Sequence, residues 1–339
     1  MAFRNVGLLA VLVFLALILF ALHLVIGPVQ LSVSEMMAAL TGGPRNNPAA
    51  LIIHSVRLPE ALTAALAGGG LAVCGLLMQT LFRNPLAGPS VLGLSSGASL
   101  GVALLMLAAP TALFVEIPVD LTAAVAAFVG AMGVLFLIML ADRRMGDGVA
   151  LLIVGLMLGY LCSALISLLQ LASAEQALKS FVIWGMGSFS GVLIERLPWL
   201  MAPVLIGIGA AFLLVKPLNA LLLGDNYAAS LGVHVGRTRR WIMLITGLLA
   251  GVITAFCGPI AFLGLATPHV ARGLCRSSDH STLLPVTLLC GVVLALFCDL
   301  IIKIPAFGAG IPLNAITSLL GAPVVAWVLF SGKRWARST

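Results

Sequence analysis

The sequence predicts an all-α, polytopic integral membrane protein with about ten transmembrane helices, one of them half-length. Three observations carry that prediction. Of the 339 residues, 61% are hydrophobic and only 9% charged, with a mean hydropathy of +1.19, whereas soluble domains carry about 25% charged residues. Apolar runs of about 20 residues, each long enough to cross the hydrocarbon of a bilayer, recur along the whole chain. The charges collect in the gaps between runs and are shared unequally between alternate gaps.

The first run, 6–27, is longer than a signal-peptide core and lacks a small-residue cleavage site, so it reads as a retained first span. Runs 58–82, 91–109, 120–141 and 149–173 supply four more, and 180–191 reads as a short helix that does not cross. Spans 197–215 and 241–257 follow. Between them the chain turns polar in LLLGDNYAASLGVHVGRTRRW (221–241), a stretch that favours a short helix. Asp225 suits its N-terminus, the arginines its end, and Gly232 the turn beyond. Taken alone, this insert is either an ordinary basic loop or a helix made for a partner.

In GPIAFLGLATPHVARGLCRSSDHS (258–281) the apolar part is too short to cross. It predicts a half-length helix, tolerated where protein surrounds its ends, with Pro268 at its start and Asp279 and His280 at its close. Spans 283–304 and 311–331 complete ten segments in a single domain, 1–339. With both termini cytoplasmic, 13 of the 18 lysines and arginines fall on the inner side, as the positive-inside rule requires. The expected location is therefore a bacterial inner membrane, crossed many times, and no nucleic-acid partner is expected.

Six scattered cysteines without a CxxC pair read as free buried thiols. His269, Cys275, Asp279 and His280 match no zinc spacing and lie among Arg272 and Arg276, so no metal site is expected. Asp299 and Lys303, four apart, can pair on one helix face. There is no G-x-x-x-x-G-K-[ST] run to cradle a nucleotide, and no cluster of catalytic type at one depth. An ion-coupled secondary transporter is the alternative reading, but Asp299 is the only suitable intramembrane acid for it.

Three stretches narrow the reading. RLPEALTAALAGGGLAVCGLLMQTLFRNPLAGPSVLGLSSGASLG (57–101), GPIAFLGLATPHVARGLCRSSDHSTLLP (258–285) and IPLNAITSLLGAPVVAWVL (311–329) together resemble the FecCD-type permease family. Its members are the membrane subunits of binding-protein-dependent ABC importers for ferric siderophores, haem and cobalamin. The resemblance covers essentially the whole chain. It implies a type II importer subunit without catalysis or cofactor of its own, with ATP and Mg held by two separate cytoplasmic ATPase subunits. It also implies a periplasmic or lipid-anchored substrate-binding protein and a second permease copy, a homodimer as the first expectation, around a central path. A ferric siderophore is the first expected cargo, then haem or cobalamin; no substrate-binding residue is readable.

Carried over residue by residue, GDNYAASLG resembles the family's coupling segment, G-[DE]-x-x-A-x-x-L-G. Gly224, Asp225, Ala228, Leu231 and Gly232 match it, within a cytoplasmic segment 216–240. RNPLAGP is a structural turn or a buttress for that helix. Gly68, Gly69, Gly70 and Gly75 suit close helix packing. Trp184, in WGMGS, is either part of the family's short outer helix or an interfacial anchor. Asp147 and Gly148 stand where the family places its cytoplasmic gate.

Two departures matter. Family members that read RLPR use arginines to receive the binding protein; here the docking positions hold Arg57, Glu60 and Lys303, the middle one reversed in charge. The family's ELPxG segment reads GIPLN, with Gly310 and Asn314 at the glutamate and glycine positions. Asparagine there is expected to keep a left-handed turn.

Overall fold

Lipid offers the backbone no hydrogen-bond partners, and helices satisfy their own. The computed structural model describes residues 2–27, 29, 32, 34, 48–108, 119–145, 148–304 and 310–335, whose regular structure is all helical. In chain order the helices are α1 (Ala2–Val25), α2 (Leu58–Leu81), α3 (Leu94–Ala103), α4 (Val119–Met145), α5 (Gly148–Ala172), α6 (Glu175–Gly185), α7 (Leu197–Leu213), α8 (Val215–Leu222), α9 (Asp225–Ser230), α10 (Val235–Cys257), α11 (Leu263–Cys275), α12 (His280–Ile302) and α13 (Leu313–Trp335). Short helical turns precede α2 and flank α3.

Helices α1, α2, α4, α5, α10 and α12 are long and apolar enough to cross a membrane, and α7 with α8 forms another candidate span, bent by 55°. The bend follows from Pro217, which lacks an N–H and whose ring excludes a continuous turn over Leu213. Helices α3 and α13 are shorter and apolar, and α11 has 13 residues. Each of the ten predicted segments is thus helical.

The core is built around α2, which lies along α12 and also meets α10, α11 and α7. Small residues allow this. A Cβ on Gly75 would strike the carbonyl oxygen of Gly264 in α11, and one on Gly68 would strike that of Gly291 in α12. Helix α5, by contrast, leaves most of its apolar surface uncovered.

Several boundaries differ from the sequence reading. The short helix placed at 180–191 is α6, about five residues earlier and closed by Gly187 at φ 72°. Span 241–257 begins at Val235, so Arg237, Arg239 and Arg240 ride on α10 rather than ending the polar insert. Helix α11 starts at Leu263, after a break in which Gly258 and Phe262 have positive φ, and Pro268 lies inside it. It ends at Cys275, before left-handed Arg276. Asp279 instead caps the next helix, accepting from Ser281 N. Asn314 is no turn residue; it lies in the first turn of α13.

Candidate functional site

At the arginine-rich end of the bundle, a six-residue helix, α9, stands between α8 and α10. Gly224 at φ 107° and Gly232 at φ 82° form its entry and exit, conformations that side-chain-bearing residues rarely adopt. Asp225 opens the helix, where a carboxylate complements the N-terminal dipole. Ala228 is fully buried, whereas Leu231 is exposed together with Leu223 and Tyr227. The matched motif therefore divides its labour. Its glycines turn the chain, Ala228 and Asp225 face the bundle, and Leu231 contributes to an apolar tip.

Asp225 is gripped twice. Arg83, in the turn after α2, forms an ion pair with its Oδ1. Arg239 of α10 reaches its Oδ2 at 3.5 Å and Asp142 of α4 at 3.1 Å. The Arg239–Asp142 pair is buried, each side chain only 9% exposed, and charges so placed are costly to leave unmatched. The RNPLAGP turn thus buttresses α9 through Arg83. Arg239 and Asp142 were not visible as partners in the sequence, where Arg239 counts only as one more inner-side cation.

The same end holds two further polar joints. Gln79 of α2 accepts from Arg272 Nη1 at 2.6 Å and donates to Leu265 O at 3.1 Å. His269 donates through Nε2 to Pro85 O at 2.8 Å. Between α8 and α12, Asn219 Oδ1 receives His280 Nδ1–H and N–H, both at 2.8 Å, and the Thr80 hydroxyl closes the other ring nitrogen at 2.8 Å. Asn219 Nδ2 donates to Asp279 at 2.6 Å. The Ser281 hydroxyl and amide, with Asn219, hold the Asp279 carboxyl below the usual carboxylate range.

At the opposite end, the three residues assigned to docking turn inward. Arg57 is buried and caps the end of α1, donating to Leu24 O at 2.6 Å and Val25 O at 2.7 Å. Lys303 Nζ lies 2.6 Å from Glu60 Oε2, 2.9 Å from His23 Nδ1 and 3.6 Å from Asp299 Oδ2. The i, i+4 pair expected on α12 is therefore the longer contact, and the Glu60 carboxylate across the α2–α12 interface is the closer partner. His23, unmarked in the sequence reading, donates through Nε2 to Leu296 O at 3.2 Å. Of the gate candidates, Gly148 begins α5 and is half-buried, while Asp147 lies outside the described residues. Trp184 stacks on Phe181 within α6, their ring centroids 6.2 Å apart.

Comparison with known proteins places this geometry in a family context. The profile described as the FecCD transport family matches residues 15–331. The chain is 36% identical over 283 residues to the vitamin B12 import system permease protein BtuC of Klebsiella pneumoniae subsp. pneumoniae, covering 84% of this chain and 83% of that one. It is 36% identical over 287 residues to the BtuC of Salmonella typhi, with 84% and 85% covered. A solved structure described as a metal-chelate type ABC transporter in an inward-facing conformation superposes with a TM-score of 0.84 at 32% identity, covering 96% of this chain and 99% of that one.

Proposed function

The chain belongs to the FecCD transport family, and from that premise we propose that it moves a metal chelate inward by alternating access, driven by ATP hydrolysis on separate subunits. It is the permease subunit of an ABC importer of the metal-chelate type; the ATPase is another polypeptide. Cobalamin and ferric siderophores are the cargoes to test first. The names of the relatives support the former, and the commonest cargo of the family supports the latter.

The observation that carries the mechanical reading is the grip on Asp225. A lone loop needs no buried anchor, yet α9 is tied by Arg83 to the end of α2 and by Arg239 to α10 and α4. Exposed Leu223, Tyr227 and Leu231 supply apolar surface for a groove in the ATPase. Closure of the ATPase pair pulls α9, and the ionic joints pass that displacement to three spans. In this reading α9 faces the cytoplasm, both termini lie on that side, and two copies of the chain enclose the path with a binding protein above it.

The test is uptake by the whole transporter, with its ATPase and binding protein, in vesicles lacking any ion gradient. ATP-dependent accumulation of cyanocobalamin or of a ferric siderophore supports the reading. Uptake that follows an ion gradient and ignores ATP would replace it with the secondary-transporter alternative.

A further inference from the structure

The break between α10 and α11 exposes backbone groups that no helix can satisfy. Pro259 leaves a carbonyl without a following turn, and the Ala261 amide precedes the first turn of α11. One side chain from elsewhere answers both. Asn314 Oδ1 accepts from Ala261 N at 2.9 Å, and its Nδ2 donates to Pro259 O at 2.7 Å. The second Nδ2 hydrogen goes to Gly185 O at 3.2 Å, at the end of α6, and Asn314 N donates to Met186 O, also at 3.2 Å. A neighbouring bond, Ser188 N to Cys257 O at 2.8 Å, joins the chain after α6 to the end of α10.

We propose that Asn314 is a positioning residue that fastens α6, the α10–α11 break and α13 into one moving body. Only a carboxamide fits, because the three partners are two acceptors and one donor. Aspartate, of the same shape, would set carboxylate oxygen against two carbonyls. Alanine would remove all three side-chain bonds and leave the break and the end of α6 without a common partner.

Further along α11, His269 at mid-helix is held by Pro85 and Arg272 in the last turn by Gln79, close in sequence to Arg83 and hence to Asp225. Helix α11 therefore connects the α9 joint to α6, through the break that precedes it and through His269 and Arg272. The role of this connection in transport rests on the function proposed above; the fastening itself does not.

Spin labels at exposed Ser180 in α6 and exposed Ser278 beyond α11, in the full chain assembled with its partners in nanodiscs, measure the fastening. In the unsubstituted protein the distance distribution should be narrow, and Asn314→Asp and Asn314→Ala should each widen it about two-fold. Cyanocobalamin uptake per ATP hydrolysed should fall at least about five-fold in both variants, an uncoupling that a loss of stability alone would not produce. Unchanged widths in both variants would overturn the proposal, even where Asn314→Ala lowers the yield of folded protein, because Asn314→Asp preserves side-chain volume. If the unsubstituted transporter moves no cyanocobalamin, the cargo assignment fails and the distance widths alone decide the fastening.

Discussion

Lys303 Nζ lies 2.6 Å from Glu60 Oε2, across the contact between α12 and α2, with both side chains about a tenth exposed. The pair gives Glu60 a partner within the chain itself. A glutamate among docking arginines reads as a surface charge awaiting a partner protein, yet its partner is inside the same chain. Arg57 likewise spends its guanidinium on the end of α1.

Substitution of Glu60 should therefore report on stability before it reports on docking. Removing one member of a buried pair costs about 3–5 kcal/mol, whereas replacing both by apolar residues is often neutral. Glu60→Ala is expected to lower the thermal midpoint in detergent strongly, and Glu60→Met with Lys303→Met to restore most of it. Glu60→Arg, which adds a cation beside Lys303 and Arg57, should be the least stable of the set. A stable Glu60→Arg protein with tighter binding-protein affinity would show that these residues face outward.

Close backbone contact makes a second prediction. A methyl group on Gly75 has no space against the Gly264 carbonyl, and backbone cannot swing aside as a side chain can. Gly75→Ala should destabilise by about 1–3 kcal/mol, the range of overpacked cores. Gly209→Ala in α7, with nothing within 4 Å of the new carbon, should be neutral or stabilising by a few tenths, since alanine is the better helix former. Equal midpoints for the two variants would remove the close α2–α11 packing from the account.

Asp279 predicts a dependence on acid. Its carboxylate accepts from the Ser281 hydroxyl at 2.6 Å, Ser281 N at 3.0 Å and Asn219 Nδ2 at 2.6 Å, which depresses its pKa. A depressed carboxyl contributes stability in full above its unfolded value, near 3.9, and loses it as pH falls through the folded value. The contribution should be constant from neutral pH to about pH 5 and fade below pH 4. Asp279→Ala should cost about 1 kcal/mol through the lost helix cap, with the difference from the parent shrinking in acid. A gap that widens below pH 4 would refute this assignment.

Arg239 is expected to be irreplaceable by lysine. Its fork reaches Asp142 and Asp225 from different nitrogens, a geometry that a single ammonium does not reproduce. Hydrogen exchange across residues 224–232 should speed at least about ten-fold in Arg239→Lys and similarly in Arg239→Gln. Exchange rates matching the parent would mean that α9 is held by Arg83 alone.

Much of this architecture is written in composition. Ten segments, among them a half-length helix in the 258–282 region, and a short polar helix near Asp225 follow from run length and from the positions of Asp225 and Gly232. The joints do not follow, because they depend on which residues meet across the bundle. Arg239 and Asp142 are 97 positions apart, and His23 and Lys303 are 280 apart. Asn314 shows the other limit: as a replacement for glycine it suggested a turn, but the value of its carboxamide lies in satisfying backbone groups at a break more than 50 residues earlier. Leu223 and Tyr227 are exposed at the tip of α9, which their residue types do not reveal and only the fold shows.

Uptake and ATP hydrolysis by an Asp225→Ala transporter, measured together in vesicles, show whether α9 transmits the driving motion. With Arg83 and Arg239 deprived of their shared anion, hydrolysis should persist while cargo accumulation falls at least about ten-fold. Accumulation at the parental rate, or accumulation in the absence of the ATPase subunits, would contradict the view that α9 delivers the driving motion.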